Sequence, residues 1–218
     1  MPKIANKPFN DWQAEEVEEA FNITRVQSLP LLDALTAIKA KKNNVWYELI
    51  ERYRKSANWL IEGWNEDEYK FLFISPFLKL VDFSTDYFNV FTQRPMSVTY
   101  ENGTKTTTGK VEWMVARGRQ NPKQPHFFFH EYKPEKNRDN DPLGQVLIAM
   151  VAAQVINSND KPIYGIYVNG RNWFLIVLNG KQYATSKAYD ITSDEIFDLF
   201  AILEHLRDIL AVVYKSLI

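Results

Sequence analysis

Residues 143–156, LGQVLIAMVAAQVI, contain no charge and are apolar on nearly every side of a helical projection. A helix with one apolar stripe can lie on a core, but one that is apolar all round must be covered on all sides. Asp141-Pro142 just before it supplies an N-cap aspartate followed by proline at the first helical position. The spacing therefore predicts a helix buried against a sheet, and the flanking segments provide the sheet. Residues 87–100, 106–116 and 126–133 are rich in β-branched and aromatic side chains and read as three strands, with turns at Gly103 and 117–125. Two more strands follow at 163–168 and 173–178, punctuated by Asn169-Gly170 and Asn179-Gly180.

The remainder reads as helix. Residues 11–21 open acidic, 29–42 are amphipathic, and 45–64 place Trp46, Ile50, Tyr53, Ala57, Leu60 and Ile61 at helical spacing before Gly63. A further helix is predicted over 65–81, with Asn65 as N-cap and acids in its first turn. A last helix is predicted from Thr192, capped by Glu195, with Ile196, Leu199, Leu203, Leu206, Leu210 and Val213 as its stripe. Helices interleaved with a mixed sheet indicate an α/β class. At 218 residues the expectation is a single compact unit: a helical extension over 1–63, packed on a core over 64–218 that ends in the C-terminal helix.

Composition narrows the chemistry. The absence of cysteine removes disulfides, thiolate zinc sites and cysteine nucleophiles. With only His126, His130 and His205, a histidine-rich centre is not expected either. A metal would have to be held by carboxylates, which points to magnesium, manganese or calcium. No apolar leader or membrane-length stretch is visible, so a cytoplasmic location is the expectation. Net charge is −1, which by itself argues for no nucleic-acid partner. The local distribution is more informative: Arg117, Arg119, Lys123, Lys133, Lys136 and Arg138 face only Glu131 and Glu135 over 117–138. A solvated basic loop accounts for that run, and a phosphate-contacting surface does so as well.

In HFFFHEYKP, strand alternation puts Phe127, Phe129, Glu131 and Lys133 on one face and Phe128, His130 and Tyr132 on the other. A carboxylate and an ammonium two residues apart at the end of an aromatic strand form either a strand-end ion pair or a site. The preceding strand, GKVEWMVARG, embeds Glu112 among apolar residues, so pairing of the two strands could bring Glu112 to Glu131. Gln145 lies in the first turns of the buried helix, where its amide needs partners. Glycine-rich phosphate loops and a Gly-x-Ser-x-Gly setting for Ser75 or Ser84 are absent.

An acid on one strand, Glu-x-Lys on the next and a helix opening with glutamine together resemble the PD-(D/E)XK, restriction-endonuclease-like superfamily. The likeness is closest to nuclease domains of type I restriction-subunit and RecB-like character, and it covers roughly residues 64–180. The run from Asn65 through Glu66 to Leu78 is similar to the helix that opens such domains, with Glu66 matching a glutamate that approaches the metal. The resemblance implies a mixed sheet flanked by helices. It implies Mg2+ or Mn2+ bound by Glu112 and Glu131, with Lys133 acting on the attacking water and Gln145 accessory. Most members carry aspartate where this chain has Glu112. It further implies a nucleic-acid substrate, DNA before RNA, and a homodimer or a larger restriction or defence-type assembly. Two alternatives stay open: a nuclease fold that binds without cutting, and a purely structural α/β domain.

Overall fold

The computed structural model describes residues 5–41, 45–100, 103–133 and 141–215; at 5, 125–131, 133 and 213–215 the backbone alone is described. In chain order, strand β1 (Ala5–Pro8) leads through a 3-10 turn (Phe9–Asp11) to α1 (Ala14–Phe21), β2 (Thr24–Arg25), α2 (Pro30–Thr36) and α3 (Tyr47–Leu60). Then α4 (Glu66–Tyr69), a π-helical turn (Lys70–Ile74) and α5 (Ser75–Val81) form one continuous rod. The long strands β3 (Phe88–Tyr100), β4 (Lys105–Arg117) and β5 (Lys123–Lys133) precede α6 (Pro142–Asn157). Strands β6 (Ile163–Asn169), β7 (Asn172–Asn179), β8 (Gln182–Thr185) and β9 (Tyr189–Asp190) precede α7 (Glu195–Lys215).

All nine of these strands join one mixed sheet, ordered β1-β4-β5-β6-β7-β8-β2, with β3 on β4 and β9 on β7. Strands β3, β4 and β5 form an antiparallel meander, and β5 then pairs parallel with β6. A parallel pair needs a crossover, and α6 is that crossover. Side-chain alternation feeds two apolar cores, one on each side of the sheet. Trp113, Val115, Ile166, Val168, Trp173 and Leu175 join the helices α2, α3, α4, α5 and α7. Met114, Ala116, Ile163 and Ile176 join α1 and α6. Residues 146–153 of α6 are all buried, as a helix without a polar face requires.

Several expectations need correction. The amphipathic stretch 29–42 is helical only over Pro30–Thr36. Beyond it, Ala40 N donates to Asp198 Oδ1 at 2.9 Å and Lys39 Nζ meets Asp198 at 2.7 Å, so contacts with α7 outcompete further helix. The last helix starts at Glu195 rather than Thr192. The Glu195 carboxylate accepts from Asp190 N at 3.0 Å, and Asp190 in turn takes Thr192 N at 2.8 Å, so the cap reaches further back than the predicted box. Strands β1, β2, β8 and β9 are two to four residues long, too short to show a period.

Candidate functional site

Asn65 starts the rod as the sequence predicts. Its side chain accepts from Glu68 N at 2.9 Å, and the Glu68 carboxylate accepts from Asn65 N at 2.8 Å. The π turn that follows precedes Pro76, which has no N–H and would collide with the carbonyl four residues back in a regular helix. Widening the turn, so that Ser75 N donates to Lys70 O, relieves that conflict. Tyr69 fastens the rod to the sheet: its hydroxyl donates to Gly170 O at 2.9 Å and accepts from Trp173 Nε1 at 3.0 Å.

Glu66 and Lys70 lie one turn apart on this rod, with Lys70 Nζ 2.6 Å from Glu66 Oε1. The same ammonium is 2.6 Å from Glu112 Oε2 on β4. Gln93 of β3 donates its side-chain amide to that Glu112 oxygen at 2.7 Å. Tyr132 of β5 lies beneath: its hydroxyl donates to the Glu66 carbonyl at 3.3 Å, and Lys70 Nζ is 5.4 Å from its ring centre. Burial works to lower the Lys70 pKa, but the hydrogen bonds to Glu112 and then Glu66 outweigh it and hold the ammonium charged. Burial first, and the carboxylates of Glu66, Asp67 and Glu112 after it, push the Tyr132 phenol well above its ordinary value.

The backbone around Glu112 is irregular on both sides. Gln93 holds a left-handed φ of 53° within a strand, where a non-glycine residue rarely goes. The β3–β4 ladder runs through Thr92↔Trp113 and Arg94↔Val111 but has no pair between them. Alternation slips there as well. Trp113 and Val115 belong to one core and Val111 to the other, while across the ladder Phe88 and Val90 lie opposite in core from Met96 and Val98. The β3–β4 ribbon thus turns over at Gln93–Glu112. On its other edge, β4 pairs with β5 only from Arg117↔Lys123 to Trp113↔His130, whereas β5 stays on β6 through Glu131↔Tyr167 and Lys133↔Asn169. The two strands therefore part beside Glu112 and Glu131.

Glu66 and Glu112 thus converge, while the expected meeting of Glu112 with Glu131 rested on pairing of the two strands, which ends at Trp113↔His130. Glu112 points to the side occupied by Lys70 and Tyr132, where a straight strand would have directed it to the opposite face. The side chains of Glu131 and Lys133 lie outside the described residues, which leaves their backbone positions at the open end of β5. Gln145 is 6% exposed on α6, and its Nε2 finds no partner among the described residues. Asp141 caps α6 through Leu143 N at 3.0 Å and also accepts from Ala14 N at 2.9 Å, tying α1 to the same end. Lys70 was missed because in the sequence it is an ordinary i,i+4 partner of Glu66. Gln93 carries no signal in the sequence at all.

Among the described residues, the basic positions lie at the two ends of β5. Arg117 and Lys123 pair at the start of β5, and Arg119 lies in the loop joining them. Lys133 ends β5 ten residues later, roughly 33 Å away at the usual strand rise. Lys136 and Arg138 lie outside the described residues.

The donors at Glu66 and Glu112 are hard carboxylate oxygens that already converge on a cation. That donor chemistry suits Mg2+ or Mn2+ and no softer metal. Among the described residues, no group of three or more His, Cys, Asp or Glu side chains stands together as a ready-made metal cage. No family model matches this chain, and no curated protein is detectably similar to it. Among the described residues, no helix is long and apolar enough to cross a membrane.

Proposed function

We propose that the chain is a divalent-metal-dependent phosphodiesterase of the PD-(D/E)XK, restriction-endonuclease-like kind, acting on nucleic acid and on DNA in preference to RNA. The parting of β4 from β5 beside Glu112 and Glu131 carries this reading, because Glu66 arrives at the same point from a different layer. The mixed sheet supports it too: an acid-bearing strand lies next to the Glu-x-Lys strand, and a buried helix opening with Gln145 then leads to a parallel strand.

In this reading Glu112 and Glu131 would hold Mg2+ or Mn2+, with Glu66 adjacent. When bound, the ion neutralises charge on the phosphate oxygens and lowers the pKa of water. Lys133 stabilises the developing charge and moves the proton of the attacking water. Gln145 donates its amide to a water, a phosphate oxygen or a neighbouring carboxylate. Arg119 and Lys123 at the far end of β5 contact the phosphate backbone without reading sequence.

One observation favours a second reading, a nuclease fold that binds without cutting: Lys70 already neutralises Glu66 and Glu112. The two are separated by incubating DNA and RNA with Mg2+ or Mn2+ and comparing wild type with Lys133→Ala and Glu131→Gln. The enzyme reading expects both variants to lose about 100-fold or more in cleavage rate. Cleavage that is equal in all three proteins sinks it. No cleavage by wild type, with DNA still bound, assigns the fold to the second reading.

A further inference from the structure

We propose that Lys70 is a built-in competitor for the metal: its ammonium occupies the place of the cation between Glu66 and Glu112 and must leave before a divalent ion is bound there. The inference rests on the proposed function for the identity of the ion, but its argument is geometric. Lys70 Nζ stands 2.6 Å from one oxygen of each carboxylate, so a divalent ion drawn to the space between Glu66 and Glu112 meets the ammonium's positive charge there. Its side chain is 23% exposed and that of Glu112 21%, while Glu66, at 40%, forms the solvent side of the trio, so the ammonium is partly withdrawn from water and keeps a way out past Glu66.

The neighbouring groups hold this arrangement in place. Gln93 donates to the Glu112 oxygen that Lys70 uses, and its left-handed backbone turns Glu112 toward Lys70 in place of the opposite face of the sheet. Tyr132 fixes the Glu66 end through the carbonyl at 3.3 Å. Lys70 itself is the adjustable member, because an unbranched four-carbon stem can swing away while both carboxylates keep their places. Without the metal the ammonium keeps two like charges from repelling; with it, Lys70 is released toward solvent or toward a phosphate of the substrate. Removing the ammonium leaves the carboxylates uncompensated and makes the site a stronger cation binder.

Terbium luminescence tests this without any cleavage assay, because an ion at the Lys70 Nζ position would sit close to the Tyr132 ring, now 5.4 Å from that nitrogen. Tb3+ is titrated into wild type, Lys70→Met, Lys70→Arg and the double variant Lys70→Met with Glu112→Gln, with circular dichroism reporting folding. The expected result is Tb3+ binding about tenfold tighter in Lys70→Met, equivalent to about 1.4 kcal/mol. Lys70→Arg should stay near wild type and the double variant should lose the gain. Lys70→Gln replaces Lys70→Met if the latter does not fold. Equal or weaker binding in the neutral variant, a gain that survives Glu112→Gln, or no sensitised emission from any of the proteins overturns the proposal. A chain that binds Tb3+ as expected yet cuts no nucleic acid loses the enzymatic reading and keeps this one.

Discussion

Gly144 is a tight approach between α6 and the segment leading into α1, and Gly144→Ala tests how tightly that contact is set. A Cβ built at this position would lie 2.3 Å from Trp12 O, 2.8 Å from Gln13 C and 2.9 Å from Ala14 N. All three are backbone atoms, so no side-chain rotation relieves the overlap. The first segment of α1 would have to withdraw by about 1 Å to restore ordinary contact. That movement stretches the hydrogen bond from Ala14 N to Asp141 Oδ2, now 2.9 Å, which joins the two helices at their starts. Overpacking of this sort costs about 1–3 kcal/mol, and weakening a hydrogen bond to a charged acceptor adds to it. Replacing glycine by alanine in a helix returns about 0.5–1 kcal/mol, less so here because Gly144 is only the third helical residue. The balance is a destabilisation of about 2 kcal/mol. In urea, with a slope of roughly 2–3 kcal/mol/M, the midpoint should fall by about 0.7–1 M while the slope is unchanged. A midpoint that stays or rises would show that helix propensity outweighs the backbone contact and would refute the reasoning.

Tyr69→Phe removes a buried hydroxyl that serves both Trp173 Nε1 and Gly170 O, and it should destabilise by about 2 kcal/mol in the same urea experiment; a change below about 0.5 kcal/mol would mean that the two groups find other partners. Stability should also fall in alkali. Burial, ahead of the other influences, pushes Tyr167 and Tyr189 up to about 12, while the unfolded chain releases those protons near pH 10. A raised folded pKa means that the stabilisation is complete below pH 10 and is lost as pH rises toward 12. Tyrosinate absorbance and circular dichroism should therefore change together, and tyrosines that all ionise near pH 10 with the fold intact would contradict the burial argument.

The core of the fold was legible because its segments obey simple periods. Residues 143–156 could only be an enclosed helix, and β3 to β7 are long enough to show alternation. Asn65 and Asp141 mark helix starts by capping chemistry that is local to a few residues. Failures occur where a distant group decides the matter. The helical pattern over 29–42 gives way after Thr36 because Asp198, more than 150 residues along, takes Lys39 and the backbone of Ala40. Gly109 and Gly144 look like weak points in a strand and a helix, yet each marks a place where Phe9 or the backbone of Trp12 comes too close for a side chain. Neither contact is encoded within its own segment.

The same distinction explains why the candidate site was only partly readable. Glu112 was found as a charge in an apolar strand, and Glu66 as an acid at a helix start, each by a local rule. Their meeting depends on a departure from a local rule. Regular alternation sends Glu112 and Trp113 to opposite faces, but the ribbon turns over at Gln93 and delivers Glu112 to the side of α4. In most of the core strands and in α6, pattern and packing agree, as a sequence that specifies one structure requires. Here a left-handed glutamine, a gap in one ladder, the end of another and a half-buried ammonium between two carboxylates come together in space. A left-handed non-glycine residue in a strand costs on the order of 1–3 kcal/mol, and the hydrogen bond from Gln93 to Glu112 repays only part of that. Packing alone supplies no reason to keep so strained an arrangement, because a straight β3–β4 ladder would avoid the left-handed residue. The strain is accounted for if the carboxylate of Glu112 has to be held where Glu66 can reach the same cation.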